Sequence, residues 1–120
     1  MKEILFRCYD EANNEMLDVA QLKFEFGEVF IRPTKYNEWF TTNEMPLMQW
    51  TSEYDKEHKK VFEGDIILDY FGNKFIVQDT HSCTLLGSTT GQLYSLKNVL
   101  LAKGEVISNI YDNEFSYLKE

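Results

Sequence analysis

Apolar and polar residues alternate along much of this chain with a period of two. Leu22-Lys23-Phe24-Glu25-Phe26 is the cleanest case, with Leu22, Phe24 and Phe26 sharing one face. That period predicts strands, because successive side chains of an extended backbone point to opposite faces. Ile4, Phe6 and Cys8 alternate with Leu5, Arg7 and Tyr9, and both sets are apolar enough for a well-covered strand. Residues 10–15 are turn chemistry, since Asp and Asn accept left-handed backbone. Met16-Leu17 resumes the apolar run, so residues 3–19 predict a hairpin. Gly27-Glu28 predicts a turn, Val29-Phe30-Ile31 the returning strand, and Pro33 its end, because proline cannot donate to a ladder.

Residues 33–46 have no period and hold Tyr36, Trp39 and Phe40. They predict an ordered loop whose aromatics fold onto the core, with a partner-facing surface as the alternative. Leu47–Thr51 is the next strand, and 52–62 is a charged arm. Asp65–Phe71 and Lys74–Asp79 predict a hairpin on a two-residue Gly72-Asn73 turn. Cys83–Leu86 and Gln92–Tyr94 flank the turn residues 87–91. Residues 95–101 fit either an extended segment or one to two helical turns capped by Ser95 and stopped near Gly104. Glu105–Tyr111 is a strand, and Asp112 is placed to cap a terminal helical turn carrying Phe115 and Leu118. Many short strands with frequent turns predict a mainly β fold: a small SH3-like β-barrel built from hairpins, with at most one or two short helical turns. The SH3-like detail rests on analogy with the Gly64-Asp65 turn.

Composition supports this and narrows the function. The 120 residues suit one domain, read as a 47–111 barrel core with the N-terminal hairpin 3–31 packed on it. Aromatics make up 15% of the chain, which favours pleated, half-buried surfaces. The net charge of −8 is spread evenly over the two halves. Such a surface repels phosphate backbones, so direct nucleic-acid binding is disfavoured. No stretch reaches the roughly 20 apolar residues that span a bilayer. Arg7 and Asp10 interrupt the N-terminal apolar run. With two cysteines besides, the expectation is a cytoplasmic protein with reduced thiols and no membrane association.

Leu47-Met48-Gln49-Trp50-Thr51, the charged arm, and Val61-Phe62-Glu63-Gly64-Asp65-Ile66-Ile67 together resemble the YopX-like family of phage and prophage proteins. The opening 3–10 and the closing 105–113 match that family's first and last strands. The chain departs from the family pattern where it has Ser52, Glu57-His58 and Ser108 in place of usual glycines. The resemblance implies a mainly β phage protein, plausible as a homo-oligomer in the host bacterial cytoplasm. It implies no reaction and no catalytic residues.

Chemistry-bearing residues are scattered. His81 and Cys83 would share a face on a strand, and a metal site would draw on them with Cys8 and His58, one short pair and two scattered residues where zinc usually takes paired short spacings. A cysteine nucleophile would need an adjacent base. Glu63, Asp65 and Asp69 fit turn building better than acid–base work, which needs a carboxyl in a pocket that raises its pKa. The aromatics Tyr36, Trp39, Phe40, Trp50 and Tyr54 fit core or interface packing better than base stacking, which needs a positive groove. No cofactor, metal or catalytic site is assigned. The arm is the candidate site, through Tyr54, Lys56, His58, Lys59, Lys60 and Phe62. The expected function is a non-enzymatic protein-binding or assembly module acting on itself or on a host or phage protein. The alternative is an accessory protein associated with nucleic acid or with phage replication and regulation.

Overall fold

The alternation at 22–25 belongs to a longer strand than its pattern marked, and Phe26 falls in the turn that follows. In the computed structural model, which describes residues 4–112, one strand covers Glu15–Glu25. The chain forms two compact units, Ile4–Gln49 and the residues from Trp50 onward.

The first unit holds β1 (Phe6–Asp10), β2 (Glu15–Glu25), β3 (Glu28–Pro33), β4 (Phe40–Thr41) and the start of β5 (Leu47–Tyr54). All pairs are antiparallel, in the order β4-β3-β2-β1-β5. β2 absorbs its length by a bulge between Val19 and Gln21. Glu25 pairs with Glu28, so the hairpin turn is Phe26-Gly27, one residue earlier than the sequence suggested. Both turn residues have positive φ, +52° and +75°, as a tight two-residue hairpin turn requires. Cys8, Leu17, Ile31 and Met45 form this unit's core. Tyr36 and Phe40 of the aperiodic loop pack against it, and Trp39 lies beneath the Lys23 ammonium, 4.5 Å from the ring centre. The buried Asp10 carboxylate holds the loop by accepting from Tyr36 Oη and Asn13 Nδ2, each at 2.8 Å.

The second unit holds the rest of β5, then β6 (Lys60–Phe62), β7 (Asp65–Leu68), β8 (Lys74–Val77), β9 (Ser82–Leu85), β10 (Leu93–Ser95), α1 (Leu96–Leu101) and β11 (Glu105–Asn109). Its antiparallel sheet runs β10-β9-β8-β7-β11, and β6 pairs with the end of β5. Val61, Ile67, Phe75, Val77, Cys83, Leu96 and Val99 are its core. Burying side chains such as Leu96 and Val99 contributes about 1.5–3 kcal/mol each.

The expected closed barrel does not form. The fold is mainly β, with two antiparallel sheets that stay open. The cause is local: β10 ends after three residues where Ser95 caps α1, and among the described residues β10 pairs with β9 alone and β11 with β7 alone. The ambiguous segment is therefore helical. Ser95 is extended, and its Oγ accepts the Asn98 N–H at 3.3 Å. The helix ends at Leu101 with Ala102 as its C-cap, and Lys103 just beyond takes φ +61°. The Gly104 N–H then donates to the Leu100 carbonyl at 3.3 Å. A Cβ on Gly104 would lie 2.8 Å from the Val99 carbonyl oxygen and 2.9 Å from Ile67 Cγ2, so only glycine fits.

The β7–β8 connection also differs from expectation. It is a five-residue loop, 69–73, in place of a two-residue turn on Gly72-Asn73. Asp69 sets it: Oδ1 accepts the N–H groups of Phe71 and Asn73, each at 2.9 Å. β7 thus stops at Leu68, and Asp69 is a loop organiser outside the strand. The helical turn suggested around Phe115 and Leu118 lies outside the described residues.

Candidate functional site

The charged arm is a compact hairpin organised from within. Asp55 follows β5, and its side chain is almost wholly buried. Its Oδ1 accepts the backbone N–H groups of Glu57 (2.9 Å) and Lys59 (2.8 Å), and its Oδ2 accepts that of Val106 (2.9 Å). Burial pushes this carboxyl's pKa up, but the N–H groups of Val106, Lys59 and Glu57 outweigh burial and hold it below the usual aspartate value. His58 takes φ +62° at the turn. Lys56 ties the turn down through its N–H to the Gly104 carbonyl (3.2 Å) and an ion pair with Glu105 (3.4 Å).

β5 is bulged just before the turn. Trp50 pairs with Phe62 and Tyr54 with Lys60, so the intervening residues outnumber their partners. Ser52 has φ +72°. The buried Thr51 Oγ1 donates to the Val61 carbonyl at 2.7 Å, and Trp50 Nε1 donates to the Glu53 carbonyl at 3.0 Å. Both left-handed residues, Ser52 and His58, fall where the sequence had suggested missing glycines.

Of the six predicted residues, the hairpin brings three together. The Tyr54 ring meets Trp50 edge-on at 5.5 Å and His58 at 6.4 Å. Lys60 Nζ lies 5.5 Å from the Trp50 ring centre and 5.8 Å from that of Tyr54. Lys56 turns to Glu105, and the Lys59 backbone serves Asp55. Phe62 is half-buried, and its N–H donates to the Asp65 carboxylate at 2.8 Å. Asp65 is thus a turn builder, as its sequence context suggested.

Two surface hollows flank this hairpin and a third adjoins one of them at Leu101. A polar one of about 220 Å³ is lined by Thr51, Glu53, Thr80, His81, Ser95 and Lys97. A second, of about 300 Å³, is walled by Glu53, Tyr54, Lys97, Leu100 and Leu101. A third, of about 180 Å³, shares Leu101 and adds Tyr70, Phe71, Ala102 and Lys103. Tyr70, Phe71 and Leu101 are 70%, 76% and 81% exposed. The Tyr70 N–H donates to the Ala102 carbonyl at 2.8 Å, fixing the loop to the helix end. Sequence reasoning missed this face, because its residues are thirty positions apart and show no periodicity.

The thiols and histidines do not assemble. Cys8 Sγ faces Met45 Sδ at 3.9 Å, and Cys83 Sγ faces the Tyr94 carbonyl at 3.7 Å. Burial, reinforced by nearby aspartates, pushes each thiol up to about 11, so neither is a thiolate at neutral pH. His81 sits in the turn before β9 and is exposed, whereas Cys83 is buried within β9, so the shared face expected of them does not occur. The turn is built by Asp79, which accepts the His81 and Ser82 N–H groups at 2.7 and 2.8 Å. Among the described residues, no three His, Cys, Asp or Glu side chains gather as a metal-binding group. None of the described helices is long and apolar enough to cross a membrane.

The family described as YopX protein matches residues 5–115. The chain belongs to the YopX family. Among solved structures, this YopX-family chain is similar to protein EF1440 from Enterococcus faecalis. The TM-score is 0.54 at 22% identity, covering 95% of this chain and 97% of that one, which is a likeness of fold. No curated protein matches.

Proposed function

We propose that this YopX-family chain is a non-enzymatic protein-binding or assembly module of phage or prophage origin, working in the cytoplasm of a bacterial host. The observation that carries this reading is the pair of hollows joined at Leu101. Tyr54, Tyr70, Phe71 and Leu101 stand exposed around them. Contiguous exposed apolar surface held by backbone hydrogen bonds marks interaction sites more often than scattered apolar residues do. Aromatic side chains are enriched at such surfaces. The protonated thiols argue against cysteine catalysis.

The test uses the intact protein and its Leu101→Gln variant as immobilised baits for host lysate, with competing DNA present. The expected result is a protein retained by the wild type despite DNA and lost by the variant. Identical retention by both baits would sink the reading.

One cluster favours a second reading, that of a nucleic-acid accessory protein. Lys60 lies over the exposed Tyr54 ring, which is backed by the buried Trp50 and flanked by His58, so one aromatic face with a cation is open for stacking. Binding to a single-stranded oligonucleotide that falls steeply with salt and disappears in Tyr54→Ala would favour it.

A further inference from the structure

We propose that the β2–β3 turn of one copy seats in the Tyr70–Phe71–Leu101 groove of a second copy. This rests on the reading of that groove as a protein-binding surface and names its occupant. Phe26 is 95% exposed and sits at φ +52°, and Phe24 near the end of β2 is 75% exposed. A phenylalanine there is doubly costly. Left-handed backbone penalises a residue with a Cβ by about 1–2 kcal/mol, and the ring stays in water. Asn, Asp or Gly would serve the turn better. A ring kept at such a position calls for a compensating contact elsewhere.

The groove offers one of matching chemistry. Its walls are two aromatic rings, packed edge-on at 5.5 Å, and the exposed Leu101. At its rim, Lys103 Nζ lies 5.1 Å from the Tyr70 ring centre. The tip carries Glu25, ion-paired with Lys23 at 3.6 Å, and Glu28 on either side of the Phe26-Gly27 turn. On a chain with net charge −8, an apolar groove with an ammonium at its rim suits an aromatic tip with the exposed Glu28 carboxylate beside it. The chain carries both halves of that contact. A tip in a groove is a heterologous contact, which closes into a ring or extends as a filament. A single turn tip in a shallow groove buries less than the ~1,200–2,000 Å² of a standard interface, so weak association is expected.

Sedimentation velocity of the full chain from ~1 µM to ~1 mM, the span in which so small a contact is measurable, reads it directly. The wild type gains mass with concentration. Phe26→Asp keeps the groove and loses the tip. Leu101→Gln keeps the tip and loses groove apolarity. Each weakens self-association at least ~10-fold, equivalent to about 1.4 kcal/mol. Both sites are exposed, Asp tolerates left-handed backbone and Gln is a good helix former, so both variants fold. Mixed together, the two variants pair 1:1 and grow no further, because only one complementary contact remains. A monomeric wild type at every concentration, single variants that associate like the wild type, or a mixture that stays monomeric overturns the proposal. If the wild type is monomeric but Leu101→Gln still loses a lysate partner, the occupant is wrong and the binding face stands. If Leu101→Gln changes neither experiment, both readings fall.

Discussion

The Asp55 carboxylate accepts the backbone N–H of Val106 at 2.9 Å, joining residues 51 positions apart in the chain. The same carboxylate holds the N–H groups of Glu57 and Lys59, so one buried side chain fixes a turn and a bulged strand together. Replacing it with alanine leaves three donors without their acceptor. Asp55→Ala is expected to cost about 3 kcal/mol, since bonds to charged groups are worth about 1.5–3 kcal/mol each and water recovers part of the loss. Urea unfolding followed by tryptophan fluorescence measures it, and a change below ~1 kcal/mol would show that the turn holds itself.

Asp55, Asp10 and Asp79 all have carboxyl pKa values below the ordinary aspartate range. For Asp55, burial works against three backbone donors and loses. For Asp10 the leading causes are Asn13 and Tyr36, and for Asp79 the His81 N–H and Ser82. A group whose folded pKa is depressed contributes stability that is present above its unfolded value, ~3.9. That contribution is lost as pH falls through the folded value. Unfolding free energy is therefore expected to change little from these groups between pH 5 and 7 and to drop below ~4. Asp55→Asn flattens part of the drop. An equally steep drop in that variant would remove Asp55 from the account.

Ser52 and Ser108 give a pair of stabilising substitutions. Ser52 sits at φ +72°, where glycine is free of Cβ strain, so Ser52→Gly is expected to gain about 0.5–1 kcal/mol. Ser108 Oγ is buried and finds no hydrogen-bond partner. Ser108→Ala is expected to gain up to about 1 kcal/mol, because the hydroxyl's desolvation goes uncompensated. Thermal melts of both variants check this, and a lowered Tm at position 52 would mean that the bulge uses the serine hydroxyl.

Both cysteines should resist alkylation in the folded protein. Burial and the raised pKa of about 11 suppress the reactive thiolate. Iodoacetamide at pH 8 is expected to label neither in native buffer and both in denaturant, read by intact mass. Rapid native labelling of Cys83 would reopen the question of its reactivity.

Strand content was legible where side chains alternate or punctuate: Leu22–Glu25, Leu47–Thr51, Lys74–Val77 and the Ser95 cap all appear in the fold. Closure was not legible, because it depends on whether two distant edges meet, and a three-residue β10 running into α1 leaves its edge without a second partner among the described residues. The turn at Phe26 was misplaced by one residue because glycine draws attention to itself while its left-handed neighbour does not. Within the arm, the sequence drew the eye to Lys56, Lys59 and Lys60, yet the organiser is Asp55. Its partners are backbone N–H groups, which every residue but proline carries and which leave no mark in the letters.

The end of α1 sets two neighbours under opposite rules. Lys103 occupies left-handed backbone that glycine would enter freely, while Gly104 is walled in by Val99 and Ile67. In a saturation mutagenesis of the chain, position 103 should accept glycine and asparagine readily, and position 104 should reject every alternative. The boundary between evolutionary freedom and near-total constraint would then fall at a single peptide bond.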